Sequence, residues 1–479
     1  MKYRGLLVAG TSSDAGKSLV TTGICRFLSR QKILVAPFKA QNMSNNSMVC
    51  ADGAEIGRAQ YLQAQAANAE PESAMNPVLL KPGSDRRSHV VVRGRADGVL
   101  EAGEFATGRK HLALAAFEAY EELAAKYDVI ISEGAGSPAE INLRAGDYVN
   151  MGLARQFSLP VVVVGDIDRG GIFASLYGTV GLLGAQDRAL IKAFIINKFR
   201  GDVTLLKPGL DQLTQMTGVP FWGVLPWLPD VWLDGEDTLQ VGRWRDATPV
   251  ATTAPRVRIV AVQLPRLSNV TDLDALASEP GVELIMTTDP LVLASAEIIV
   301  LPGSRATVSD LMWLKERGLA EVIEKAAAEG VPILGICGGY QMMAGSIEDP
   351  IESKVGRVSG LALLPTAVVF HEEKVLGRPT GEWRGHPVQA YEIHHGVATV
   401  NSGEAFLDGC RFGSVWGTTW HGVFENDKFR RAWLLEVAPS FVASDGPGFA
   451  AAREAMIDTL ADAVEENLDT AALLAAVGA

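Results

Sequence analysis

The chain has 479 residues, 48% hydrophobic and 21% charged, a balance that fits a soluble globular protein of two or three domains. Its formal net charge of -13 argues against a nucleic-acid-binding surface, and an anionic small substrate would need a local basic patch against that field. Cys25, Cys50, Cys337 and Cys410 form no CxxC pair, the histidines show no zinc-ligand spacing, no signal peptide precedes the first strand and no apolar run reaches the ~18 residues of a membrane span, so a reducing cytosol is the expected compartment.

The first element is an apolar run, Leu6–Ala9, followed by Gly10-Thr11-Ser-Ser-Asp-Ala-Gly16-Lys17-Ser18 and a helical pattern with Leu19, Val20, Gly23, Ile24, Phe27 and Leu28 on one face. Strand, glycine-rich loop and helix make the setting of a phosphate-binding loop. Gly10 and Gly16 let backbone N–H groups, Thr11 among them, turn toward phosphate oxygens at a helix N-terminus. Lys17 is expected to reach the outer phosphates and the Ser18 hydroxyl to ligate Mg2+. Five residues separate Gly10 from Gly16, one more than usual.

Val- and Ile-rich runs at 5–9, 33–37, 128–132, 160–165 and 192–197 alternate with helical patterns. They predict a doubly wound, mainly parallel sheet, with ligands at the carboxyl ends of its strands. Each strand end carries polar chemistry. Lys39 lies in the loop Phe38–Asn46; Glu133 opens Glu133-Gly-Ala-Gly136 and is a candidate Mg2+ ligand; Asp166 and Asp168 precede Arg169 and two glycines; Asn197 closes the last strand and is a candidate reader of a purine edge. An insert at about 47–127 adds Lys81, Arg86, Arg87, Arg93 and Arg95, suited either to a carboxylated substrate or to a solvated turn.

Regular pattern lapses over 226–256, where prolines flank a run of small residues, and the linker is set at 236–255. The expected division is a P-loop synthetase domain at 1–235, a second α/β domain at 256–446 and a helical tail at 447–479, with Met456, Leu460, Val464 and Leu468 as an apolar stripe. Apolar runs in the second domain fall at 256–262, 282–286, 297–301, 331–336, 361–369 and 432–437. The run ending at Ile336 enters Cys337, with glycines at 335, 338 and 339: a strand-to-helix elbow that presents a nucleophile beside backbone N–H donors. Leu301-Pro-Gly-Ser304 offers another such donor. The base is expected to be His421, with His394 and His395 second in line.

The second half resembles the class I (flavodoxin-like α/β, triad-type) glutamine amidotransferases through Leu301–Gly303, Gly335-Ile-Cys-Gly-Gly339 and the late His421. The first half resembles dethiobiotin-synthetase-like P-loop enzymes through the lengthened loop, Lys39 and Glu133–Gly136. In this order, with Pro37–Asn46, Glu55–Gln60, Met75–Pro82, Gly165–Gly171, Asn197–Asp202 and Leu264–Asn269, the chain is similar to the cobyric acid synthase family. The resemblance implies ATP and Mg2+ as cofactors, L-glutamine as nitrogen donor and a corrinoid, adenosylcobyrinic acid a,c-diamide, amidated at its b, d, e and g carboxylates, with no nucleic acid and no membrane as partners. Triad-type glutaminases carry a Glu two residues after the His; here Val423 stands there, and the nearest acid is Glu425. Cobyrinic acid a,c-diamide synthases share this two-domain plan, and a P-loop ATPase switch would leave the Cys337 elbow without a purpose.

Overall fold

The computed structural model describes residues 3–84, 87–101, 110–229, 231 and 256–479; the expected linker at 236–255 and Arg86 lie outside them. The chain divides into two compact units. One takes Met1–Ser44, Cys50–Asp234 and Arg453–Ala479, the other Asn45–Val49 and Gly235–Ala452. The helices set apart in the sequence as a tail therefore group with the first unit from Arg453 onward, and five residues of the N-terminal half group with the second.

The first unit is built on a six-stranded parallel sheet: β1 (Gly5–Gly10), β2 (Val35–Phe38), β3 (Val129–Glu133), β4 (Val161–Asp166), β5 (Ile191–Phe199) and β6 (Phe221–Pro226), in the order β6-β5-β4-β1-β3-β2. Every residue of β1, β3 and β4 is buried, which is why these strands read as unbroken apolar runs rather than as alternations. The order turns about β1, so the loops after β1, β2 and β3 meet at one sheet end. Strand Gln41–Met43, from the loop after β2, joins Val78–Ser84, Arg87–Val92 and Arg95–Glu101 of the insert in a four-stranded sheet that the patterning did not announce.

Helix Lys17–Arg30 leaves the glycine loop with Val20, Ile24 and Leu28 buried, and the C-terminal helix Phe449–Asn467 covers that same face through Met456, Leu460 and Val464. The two helices approach closely at Gly23, where a Cβ would lie 2.8 Å from the Leu460 carbonyl oxygen. Arg26 and Arg30 flank the contact with ion pairs to Glu454, Asp458, Asp462 and Glu465.

The second unit has a seven-stranded sheet of β7 (Val257–Val262), β8 (Val282–Thr287), β9 (Ile298–Leu301), β10 (Ile333–Ile336), β11 (Glu404–Phe406), β12 (Gly409–Phe412) and β13 (Val415–Thr418), in the order β8-β7-β9-β10-β13-β12-β11. The first five in that order are parallel and the last two antiparallel. The apolar run at 432–437 lies in helix Asp427–Val437, whose buried Phe429, Arg430, Trp433 and Leu434 follow a helical period. The run at 361–369 becomes strand only from Thr366, in a separate four-stranded sheet.

Candidate active sites

In the first unit the glycine loop closes around its own lysine. Gly16 sits at φ 99°, a left-handed conformation open to glycine, and a Cβ there would strike the Asn197 amide at 1.9 Å. The Thr11 N–H does not turn into the loop as expected: it donates to the Val164 carbonyl (2.9 Å), because the strand pairing of β1 with β4 extends one residue past Gly10, and it ties the loop to β4 instead. Asn197 donates its amide to Ala15 O at 3.1 Å, so this side chain braces the loop from the end of β5. At Gly10 a Cβ would meet the Lys17 side chain at 2.9 Å. The Lys17 ammonium folds back to Ser12 O (2.9 Å) and Gly136 O (3.2 Å), across the loop where phosphates would lie.

Glu133, at the end of β3, is the hub. One carboxylate oxygen accepts from Ser18 Oγ at 2.9 Å and from Lys39 Nζ at 2.8 Å, and the other accepts from Gln63 Nε2 at 2.6 Å. Lys39 and Glu133 are both buried, so neither charge would be tolerated without the other. Gln63 was not foreseen: it is an interior residue of helix Arg58–Ala66, and nothing local to it marks a site. Asp166 is paired to Lys198 at 2.7 Å, while Asp168 faces Arg200 at 3.5 Å on the exposed side.

In the second unit Cys337 stands between β10 and helix Gly338–Met342 at φ 48° and ψ -109°, a strained conformation for a residue with a side chain. The turn is possible because its neighbours lack a Cβ: one at Gly339 would lie 1.9 Å from Leu301 O, and one at Gly338 would lie 2.7 Å from Ser304 N. The Leu301–Ser304 loop thus packs directly on the elbow. Cys337 N–H donates to Thr418 O (2.8 Å), which registers the elbow to the strand that leads to His421.

His421 is fully buried. Its Nδ1 lies 2.6 Å from Asp272 Oδ2, while Asp272 Oδ1 accepts the Gly422 N–H at 2.7 Å, so one carboxylate fixes both the ring and the backbone that carries it. Tyr391 stacks on the imidazole with centroids 5.2 Å apart and exchanges two backbone hydrogen bonds with His421. Gly303 also makes room for the ring; a Cβ there would come within 3.2 Å of His421 Cε1. The remaining nitrogen, Nε2, has no hydrogen-bond partner among the described residues, and Cys337 is the other group that acts on the ring electrostatically. Burial alone would lower the His421 pKa; the Asp272 carboxylate and then Cys337 outweigh it and push the value up to about 10.

Asp272 is the acid that the sequence reading missed. It sits 149 residues before its partner, in a turn following β7, whereas Glu425 lies half-buried in the turn Val423–Glu425. The faint signal was its position: a carboxylate just past the Leu264–Asn269 run at the carboxyl end of the first strand. His394 and His395 are engaged elsewhere, with Gly396 O at 2.9 Å and His371 O at 3.0 Å.

Two family models match the chain. Residues 6–240 match the CobQ/CobB/MinD/ParA nucleotide binding domain, and residues 258–429 match the CobB/CobQ-like glutamine amidotransferase domain. The chain is 59% identical to a cobyric acid synthase of Cutibacterium acnes over 98% of its own length and 99% of that relative's. It is 56% identical to one of Mycolicibacterium gilvum and 55% identical to one of Streptomyces avermitilis, again over 98% of its length, covering 96% and 95% of those proteins. Similarity of this depth, running through both halves, means that the chain belongs to the cobyric acid synthase family of ATP-using, glutamine-dependent amidoligases.

Proposed function

We propose that this chain amidates the b, d, e and g carboxylates of adenosylcobyrinic acid a,c-diamide, using ammonia from glutamine and activation by ATP. The observation that carries the reading is the buried Asp272–His421 pair beside the Cys337 elbow, on a chain that also carries a phosphate loop closed by Glu133 and Lys39.

Glutamine hydrolysis falls to the second unit. The Cys337 thiolate attacks the carboxamide carbon, and backbone N–H groups of the elbow and the Gly303 loop face the developing oxyanion. The raised His421 pKa keeps its imidazolium beside that thiolate at neutral pH, and its proton passes to the leaving nitrogen as ammonia departs. Water then attacks the thioester, gives a proton back to His421, and glutamate leaves. Asp272 accepts from Nδ1 throughout, which holds Nε2 toward the sulfur.

Carboxylate activation falls to the first unit. A carboxylate is a poor electrophile, and its acyl phosphate is a good one. Lys17 and Lys39 supply positive charge to the transferring phosphoryl group, and Asn197 with Thr11 keeps the loop in shape. Ser18 and Glu133 present hard oxygen donors 2.9 Å apart, a pair suited to Mg2+ held jointly with nucleotide phosphates and water. Mg2+ bound there would neutralise phosphate charge. Ammonia then displaces phosphate from the acyl carbon.

The test is mass spectrometry of the corrinoid after incubation with Mg-ATP and glutamine. Four successive replacements of hydroxyl by amino, with Cys337→Ala active on ammonium and inactive on glutamine, are the expected result. Amidation of cobyrinic acid itself at two positions, with the a,c-diamide untouched, would overturn the substrate assignment and leave the reaction class standing.

A further inference from the structure

Two polar runs found in the sequence, one around Asn46 and one ending at Asn269, have no part in either half-reaction as described. They meet within the second unit, which includes Asn45–Val49. Asn46 Oδ1 accepts the Val270 N–H at 3.1 Å, and Asn269 Oδ1 accepts the Ser47 N–H at 2.9 Å. The exchange is reciprocal, and Asn46, Ser47 and Asn269 are all buried. Asn269 adopts φ 50° and caps the single turn Val270–Leu273, closed by a hydrogen bond from Asp272 N to Asn269 O at 3.1 Å. That turn is the carrier of Asp272. On the other flank Val49 packs against Tyr391 and Ile393, and Tyr391 is the ring stacked on His421.

From this geometry we infer that Asn45–Val49 is a strap completing the glutaminase centre, with Asn46 and Asn269 as positioning residues for the Asp272–His421 pair. The inference rests on the glutaminase reading above. The turn runs on into the short helix Asp274–Ala277, which anchors its C-terminal end, whereas its N-terminal end begins abruptly at the left-handed Asn269 and needs outside support. The two asparagines hold its N-terminal end: Asn46 accepts the turn's first N–H, and Asn269 accepts an N–H of the strap. Loss of the Asn269 acceptor leaves the buried Ser47 N–H unsatisfied, loss of the Asn46 acceptor frees the part-buried Val270 N–H, and either lets the carboxylate drift; a drift of about 1 Å at a catalytic group costs on the order of a hundredfold. The amidotransferase centre is therefore not self-contained in the C-terminal half of the chain. It borrows five residues that follow the Lys39 loop in sequence.

The experiment uses the full chain with Asn269→Gly, Asn46→Ala and the double variant. Glycine suits φ 50° and removes only the acceptor. Glutamine hydrolysis should fall about tenfold in kcat for each single variant, with KM for glutamine within twofold. Alkylation of Cys337 by iodoacetamide at neutral pH, followed by peptide mass spectrometry, should slow in parallel, because the His421 ring that faces the nucleophile is displaced with its carboxylate. The double variant should lose less than the product of the two single losses, as residues of one clamp do. Ammonium-dependent amidation by Asn269→Gly should stay within twofold of wild type, which shows that the chain is folded. Wild-type glutaminase kcat and alkylation rate in both single variants, alongside an inactive Cys337→Ala, would overturn the strap and spare the glutaminase reading. Glutaminase activity surviving in Cys337→Ala would instead sink the reading on which it rests.

Discussion

His421 is held by opposite influences: burial, which disfavours its charge, and a carboxylate at 2.6 Å, which demands it. The carboxylate prevails, and two predictions follow from the sign. Asp272→Asn keeps the shape but favours the wrong tautomer, so glutamine hydrolysis should drop by about 10²- to 10⁴-fold in kcat while ammonium-dependent amidation persists. The second concerns stability. A histidine raised from 6.5 to about 10 in the folded state binds its proton more tightly folded than unfolded. Its contribution is full below pH 6.5 and is lost as pH rises toward 10. Chemical denaturation of wild type and Asp272→Asn across that window should show the wild type losing its advantage on the alkaline side; parallel curves would remove the pair as a source of stability. Glycines and strand ends mark Cys337 and His421 locally as candidates. Nothing comparable marks Asp272, since a single acid in a short turn looks like any cap until the fold brings a ring to it.

At the scale of elements, the C-terminal helix is part of the phosphate-site scaffold. Its stripe of Met456, Leu460 and Val464 was legible from spacing of four; its partner, the helix that begins at Lys17, was not, because an apolar stripe states a need for cover without naming what supplies it. Magnitudes separate the two kinds of contact it makes. Leu460 is buried against the glycine-loop helix, so Leu460→Ala should cost roughly 2–5 kcal/mol, read as a lowered thermal midpoint of the full chain. The ion pair of Arg30 with the half-exposed Asp462 should matter far less, with Asp462→Asn changing stability by under about 1 kcal/mol. A larger effect from Asp462→Asn than from Leu460→Ala would reverse the assignment of what holds this helix.

At the scale of the whole molecule, two chemistries share one chain, and single substitutions should separate them. Ser18→Ala removes one hydroxyl from the Glu133 hub and leaves Lys39 paired, so amidation with either glutamine or ammonium should fall about a hundredfold while glutamine hydrolysis continues. Cys337→Ala should do the opposite. Equal loss of both activities in Ser18→Ala would mean that glutamine hydrolysis depends on that site. No helix among the described residues is long and apolar enough to cross a membrane. The sequence by itself determined the parallel strands of the two sheets, the glycine loop, the thiol elbow and the late histidine, because each is written in contiguous residues: buried strands as unbroken apolar runs, tight turns as glycines. Only the tertiary structure decided which acid serves His421, that Gln63 braces Glu133, that the last helices complete the first unit and that Asn45–Val49 belong to the second. Those are pairings between residues far apart in the chain, and their partners are chosen by packing, which local pattern does not encode.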